Sequence, residues 1–415
     1  MIGSVGAAIW LVRLLVLLLC AAPKLSRPDE VLPSQWSELR RAGGRLVVHM
    51  LRWPRSSADN PSQSQESDGS VSGSGDPSPG RSCDTPVVVY CCHGFGASGL
   101  SFEEMLPCLP LALRNCRAVL CPDQVGFGLT ERPALVFGSD AFSGSRASLA
   151  ALRPIELYGL VGNAVLGSAL LEEEFSSSED ELVVIGHSMG AITASEVALK
   201  QASQRPVSLI LASPAFLIGP GYTTEQPASA SERRPPSKLK SLSFRITRRI
   251  VRAFLQLPGM VYSRRFWEGG LASAAYRPDR LGAERFSKQV LRYRWPSLCK
   301  GWADGLANFV VARLAGGLAE DAAVLRRLVA ALCSDTGDTE FANNLRVLIV
   351  AGSEDRVVPL KTCKRLQAML GCSMSVFEGR GHVAHEEDPQ GFADLVAAFV
   401  RRRDPPAKIS LTPPP

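Results

Sequence analysis

The stretch Glu181–Ala198, ELVVIGHSMGAITASEVA, constrains the fold of this chain more than any other. Leu182 to Ile185 is a short apolar run rich in β-branched residues, the pattern of a fully buried strand. Gly186-His187-Ser188-Met189-Gly190 follows at once, and from Ile192 the sequence suits a helix. A serine with glycine two positions to either side, between a strand and a helix, predicts a turn so tight that a Cβ at either glycine would strike neighbouring backbone. Such a turn lifts the Ser188 hydroxyl clear of the sheet to the start of a helix, where partial positive charge favours a developing anion. The bland alternative is a glycine-rich turn with an idle serine. With 36 glycines in 415 residues, the five-residue pattern arises by chance too easily to stand alone, so its partners decide.

The length allows one large α/β domain with insertions, or two domains. Hydrophobic residues make up 46% and charged residues 21%, which suits a globular protein, and the formal charge is only +6. No basic stripe is interleaved with aromatic residues, so a nucleic-acid partner is not expected. The 11 cysteines show neither paired CxxC spacing nor an even framework, and Cys91, Cys92 and Cys121 sit in or beside strand-like runs. They read as small buried hydrophobes rather than a metal site, which fits a reducing compartment.

Residues 7–22 are apolar except for Arg13. A membrane span usually needs ~20 apolar residues, so three readings stay open: a secretory signal, an uncleaved transmembrane anchor and an organelle-targeting presequence. Lys24, Arg27, Arg40, Arg41 and Arg45 follow on the C-terminal side. For an anchor, that bias would put the main domain on the cytoplasmic side. An anchor in residues 1–34 and membrane association through 7–22 are the expectation. Residues 56–82, rich in Ser, Gly, Pro, Asp and Gln, read as a disordered insertion, and so does the Pro-rich tail 404–415.

Between these lie strands at 44–53, 86–92, 117–122, 182–185, 208–212, 346–351 and 373–377. Helices are expected near 102–113, 156–171, 192–199, 360–370 and 391–401. From Phe216 to about Ala342 the alternation stops. Helical stretches at 244–257, 281–315 and 320–333 predict a mainly helical lid. The 244–257 stretch, FRITRRIVRAFLQL, is basic and amphipathic. It reads as a cap helix with a solvated basic face, with a membrane-surface role as the minority alternative. The expected organisation is a core at 35–215 and 343–403, interrupted by a cap at 216–342. Alternating strands and helices imply a mostly parallel central sheet flanked by helices, with functional loops at the strands' C-terminal ends.

Phe95, Ser188, Asp355 and His382 all fall on such loops, with serine, aspartate and histidine in that chain order. Only five histidines exist: His49, His93, His187, His382 and His385. His93 and His187 belong to the 93–98 loop and the serine turn, and His49 is mid-strand, so a base must be His382 or His385. His382, directly after Gly381 and the last strand, is preferred. Asp355 is preferred over the adjacent Glu354 as the carboxylate that would orient an imidazole.

The chain resembles the α/β-hydrolase superfamily with a helical cap over roughly residues 35–403. The resemblance rests on HGFGAS (93–98), DQVGFG (123–128), GHSMG (186–190), GSEDRVVP (352–359) and GHVAHEEDP (381–389). It implies that Ser188 is the nucleophile, His382 the general base and then acid, and Asp355 the orienting acid. The backbone N–H groups of Phe95 and Met189 would form the oxyanion hole, with His93, Gly94, Gly186 and Gly190 as supporting loop residues. Similar epoxide hydrolases and dehalogenases carry an aspartate nucleophile, whereas this position is Ser188. The expected activity is therefore cleavage of a carboxylic ester with a small-molecule or lipid-like acyl group. No metal or organic cofactor is needed. Acyl transfer, carbon–carbon or small-ester hydrolysis, and a non-catalytic binding protein remain the alternatives.

Overall fold

A computed structural model describes residues 37–42, 46–54, 85–134, 152, 154–175, 180–217, 238–257, 261, 263–275, 281–333 and 344–402. The expected insertion 56–82, the N-terminal apolar segment 7–22 and the tail 404–415 lie outside the described residues. The described strands are β1 (Ser37–Ala42), β2 (Leu46–Trp53), β3 (Val87–Cys92), β4 (Cys116–Pro122), β5 (Glu181–His187), β6 (Val207–Ala212), β7 (Leu345–Gly352) and β8 (Ser373–Phe377). They form one eight-stranded sheet in the order β1-β2-β4-β3-β5-β6-β7-β8. β1 and β2 pair antiparallel, as do β2 and β4, and every other pairing is parallel. β3 and β6 are buried along their whole length, as central parallel strands covered on both faces must be.

Strand periodicity sorts the core onto two faces. Val88, Tyr90, Leu182, Val184, Leu209 and Ile349 share one buried cluster, and Val87, Val89, Val183, Ile185, Ile210 and Val350 share the other. Helices α1 (Cys108–Ala112), α2 (Pro154–Leu157), α3 (Leu160–Glu174) and α4 (Gly190–Gln201) belong to the first half of the core. Helices α5 (Lys238–Leu255), α6 (Arg264–Ala274), α7 (Ala283–Arg294) and α8 (Trp302–Cys333) lie in the chain between β6 and β7 as a helical cap. Helices α9 (Leu360–Leu370), α10 (Ala384–Glu387) and α11 (Pro389–Arg401) follow.

Local chemistry breaks several elements that periodicity draws as continuous. The stretch 102–113 divides into a 3₁₀ turn, Gly99–Met105, and α1, because Pro107 between them has no N–H to donate. The stretch 156–171 divides at Gly159, where the Asn163 side chain donates to the carbonyls of Leu157 and Gly159. Conversely, 302–333 runs as one helix of 32 residues, separated from α7 by a 3₁₀ turn containing Pro296. β1 and α6 are elements that pattern reading missed.

The expectation of a transmembrane helix is corrected. Among the described residues, no helix is long and apolar enough to cross a membrane. α8 has the length, but Asp304, Arg313, Asp321 and Arg327 interrupt its apolar surface. Arg313 and Asp321 form a buried two-pronged pair at 2.7 and 2.9 Å, and Asp321 Oδ2 also accepts the Leu217 N–H at 2.9 Å. This pair joins α8 to the chain leaving β6. Asp321→Ala would strand a buried guanidinium, so it should destabilise the protein by about 3–5 kcal/mol in urea unfolding. An unchanged midpoint would mean that water reaches Arg313.

Candidate active site

The β5–α4 turn has the geometry its glycines predict. A Cβ on Gly186 would lie 2.6 Å from the Ala191 Cα and the Ala194 Cβ, and one on Gly190 would collide with the carbonyls of Cys92 and His93. The close contacts let α4 start immediately beyond the turn and let β3 run alongside. Ser188 has φ 53°, the left-handed region that side chains rarely occupy, and its N–H is held by the Ala212 carbonyl at 2.9 Å. The strained turn presents Ser188 to a cavity of about 330 Å³, which also meets Phe95, His187 and His382. That volume lies within the ~300–1,000 Å³ range of small-ligand sites.

β7 and β8 bring the carboxylate and the histidine together. His382 Nδ1 lies 2.9 Å from Asp355 Oδ2. Asp355 Oδ1 accepts the N–H groups of Val357 and Val358, both at 2.8 Å. Burial alone would raise the Asp355 carboxyl. The neighbouring His382 and its hydrogen bond, the Val358 N–H and the Ser213 hydroxyl outweigh burial and hold it below the usual carboxylate range. An ionised Asp355 only accepts, so the proton sits on His382 Nδ1 and leaves Nε2 bare. No hydrogen bond joins Ser188 and His382 in this structure, although both face the cavity. Such bonds commonly close only when substrate is bound.

Sequence reasoning missed two participants. Ser213, at the end of β6 with φ 46°, supports Asp355, and only its place after a central strand signals this. His187 Nε2 lies 2.9 Å from the His382 carbonyl, so the residue before the serine also braces the histidine loop. The His382 N–H donates to Ala274 O of the cap at 2.8 Å. His385 is fully buried, with its ring 4.5 Å from that of His187 and 5.1 Å from that of Phe102, and it does not meet Asp355. Burial first, then the nearby His382, pushes the His385 imidazole down to about 3. Glu354 is exposed.

The 93–98 loop is fastened from within. His93 Nε2 accepts the Gln124 N–H at 2.9 Å, which fixes the ring proton on Nδ1 against the Gly94 carbonyl at 2.8 Å. Phe95 therefore stands beside Ser188 on a rigid loop. Met189 precedes the first residue of the 12-residue helix α4. Among the described residues, neither the Phe95 nor the Met189 N–H makes a hydrogen bond. Most of the remaining cavity wall is apolar cap surface, with Val251, Phe254 and Leu255 on α5, Trp267 and Leu271 on α6, and Leu306 and Val310 on α8, while Ser273 and Tyr293 of the cap and Arg356 of the core add polar groups. Among the described residues, no cluster of three His, Cys, Asp or Glu side chains is placed to hold a metal ion.

The family model described as "Alpha/beta hydrolase family" matches residues 89–395. No curated protein matches the chain. Among solved structures, an esterase from Exiguobacterium antarcticum is similar at 14% identity and a TM-score of 0.50, over 88% of this chain and 98% of that one. An esterase from Thermogutta terrifontis shares 15% identity with a TM-score of 0.47, over the same shares of the two chains. A meta-cleavage product hydrolase from Pseudomonas fluorescens shares 16% identity with a TM-score of 0.47, again over 88% and 98%. At these identities the likeness is one of fold.

Gly190→Ala tests the turn. The added methyl group has only backbone to meet, so the variant should lose about 1–3 kcal/mol in chemical denaturation, as overpacked sites do. Wild-type stability would show that β3 and α4 can separate at no cost.

Proposed function

The chain belongs to the α/β-hydrolase family, and from that premise we propose that it is a serine esterase acting on carboxylic esters with an extended apolar acyl group. The observation that carries this reading is one cavity, walled by apolar cap residues, onto which Ser188 opens together with the Asp355-paired His382. Serine at the turn favours acyl chemistry. The mostly apolar wall favours a hydrocarbon chain, and Arg356 is the charged lining residue that a polar acid would have to reach.

In this mechanism His382 Nε2 takes the proton of Ser188 as Oγ attacks the ester carbonyl. The Phe95 and Met189 N–H groups receive the oxyanion, each worth on the order of 3 kcal/mol in comparable sites. His382 then gives its proton to the departing alcohol. A water molecule, deprotonated by the same Nε2, cleaves the acyl-enzyme and returns Ser188 to its free form. Asp355 holds the imidazole in the tautomer that keeps Nε2 bare and stabilises it once protonated.

Ser188→Ala should abolish both ester turnover and labelling by a fluorophosphonate, with the unfolding midpoint kept. Turnover that survives would overturn the assignment. Asp355→Asn should lower kcat by on the order of 10³–10⁴-fold, since an amide favours the wrong tautomer.

Chain length tests the substrate class. Each added methylene that enters the cavity is worth about 0.8 kcal/mol, or roughly fourfold in kcat/KM, until the space is full. Leu306→Trp should shorten the longest acyl chain accepted while leaving acetyl esters unaffected. A flat response to chain length would remove the apolar-acyl reading and leave the serine chemistry standing.

A further inference from the structure

Four residues beyond His382 lies a carboxyl group that this chemistry does not use. Glu386, on α10, is 3% exposed. Its Oε1 accepts the Tyr293 hydroxyl at 2.5 Å, and its Oε2 accepts the Gln289 amide at 3.0 Å. Both donors stand on α7 of the cap. The same helix sends Arg285 to the Glu386 main-chain carbonyl at 2.7 Å. Arg285 and Arg292 also reach Glu104, beyond the 93–98 loop. α7 is thus pinned to the 3₁₀ turn that follows the 93–98 loop and to the short helix that follows His382.

Two features make this more than a packing contact. Tyr293 is itself a wall of the cavity, so one side chain touches both the substrate space and the buried carboxylate. The main chain of His382 is already gripped on both sides, by Ala274 O of α6 and by His187 of the serine turn. Ala274 lines the cavity too. The histidine loop is therefore suspended between the cap and the turn, and Glu386 is its second point of attachment to the cap. A buried carboxyl group is a costly way to fill space, and apolar replacements commonly pack at least as stably. What it supplies is direction, because its two oxygens accept from two donors in one geometry.

We propose that Tyr293, through Glu386, is a positioning residue for His382, so that the base stands in register with Ser188 only while α7 of the cap is seated. The proposal rests on the serine-esterase reading of the site.

Protonation enters the same lock. Burial raises the Glu386 carboxyl to about 7, against the Tyr293 and Gln289 hydrogen bonds and the Arg292 charge, which lower it. The groups facing it are Tyr293, Gln289, Arg285 and Arg292 on α7, Glu103 and Glu104 on the 3₁₀ turn, and His385 on its own helix, 3.9 Å away. Ionised, Glu386 accepts from both cap donors at once. Neutral, one of its oxygens carries a hydrogen and accepts more weakly, so the two-donor geometry is loosened. The lock therefore tightens as pH rises through about 7. The stability sign is opposite: the folded value lies above the ordinary carboxyl range, so the folded state binds more protons and loses stability over the same rise.

The experiment compares wild type with Tyr293→Phe, Gln289→Met and Glu386→Gln on one long-chain ester, with full pH profiles and unfolding midpoints. Tyr293→Phe keeps the ring and the cavity wall. It should lower kcat about tenfold with KM within twofold, because a displaced base slows chemistry rather than binding. Loss of the tyrosine hydrogen bond should move the Glu386-linked limb of the kcat profile to higher pH. Glu386→Gln should remove that limb and hold kcat at its low-pH level. Gln289→Met, which removes the second donor without touching the cavity, should repeat the kcat loss. A raised KM with unchanged kcat in Tyr293→Phe would overturn the proposal in favour of a simple wall. Lowered midpoints with wild-type kcat and pH profiles would overturn it in favour of a structural brace. An inactive, unlabelled wild type would instead count against the serine-esterase reading, so the two failures are distinguishable.

Discussion

The close approach of three backbone segments at Gly186 and Gly190 is the constraint on which the rest of the site depends. β3, β5 and the start of α4 meet there at distances that leave no room for a Cβ. Because β3 lies so near, the loop leaving it, fastened by His93, delivers Phe95 beside Ser188. Because α4 begins at once, Met189 sits at a helix N-terminus with its N–H unengaged among the described residues. The left-handed conformation of Ser188 costs on the order of 1–3 kcal/mol, and the Ala212 carbonyl on the neighbouring strand helps to hold it. The sheet supplies the rigidity that keeps a strained residue strained.

Much of this was legible in the residues because the constraints are local. Two glycines around a serine, a β-branched run before it and a helix-forming run after it specify the turn without knowledge of the rest of the chain. The alternation of strands and helices likewise announced a mostly parallel sheet, and the outcome differs mainly in the extra antiparallel strand β1. What stayed hidden depends on contacts across long sequence separations. Ser213 looks like any residue after a strand until β7 places Asp355 beside it. His187 looks like turn filler until the His382 loop folds over it, 195 positions later in the chain. Helix breaks at Pro107 and Gly159 were readable in principle, but apolar spacing overrode them. The cap was legible only as a helical interval, because its pocket is a product of packing.

A second histidine–aspartate pair shows why composition alone does not identify a site. His49 Nδ1 lies 2.7 Å from Asp123 Oδ2, closer than His382 to Asp355. Asp123 also takes the N–H groups of Gly99 and Leu129, both at 2.7 Å, so its acceptor sites are occupied by loop backbone. Burial opposes a charge on His49, but the Asp123 partner prevails and raises it. Among the described residues its other nitrogen is buried without a hydrogen-bond partner. The same pair of side chains staples β2 to the 123–128 loop in one place and faces a serine across a cavity in the other.

The histidines around Ser188 also answer to their electrostatic setting. The His187 ring lies 4.8 Å from that of His382 and 4.5 Å from that of His385, close enough that a proton on one disfavours a proton on the next. Burial first, then His385 and His382, lowers His187 far below the usual imidazole range, and His385 is lower still than an exposed histidine for the same reasons. Both neighbours therefore stay neutral across the physiological range, and of the three rings His382 is the one hydrogen-bonded to a carboxylate, Asp355. His187, kept neutral, has one N–H, and the His382 carbonyl occupies it. A charged His187 would place a cation beside His382 and, in the proposed mechanism, raise the cost of taking the serine proton. In the proposed mechanism three neighbouring histidines serve one proton transfer because only His382 is hydrogen-bonded to a carboxylate, whereas Glu386 lies 3.9 Å from His385, beyond hydrogen-bond reach.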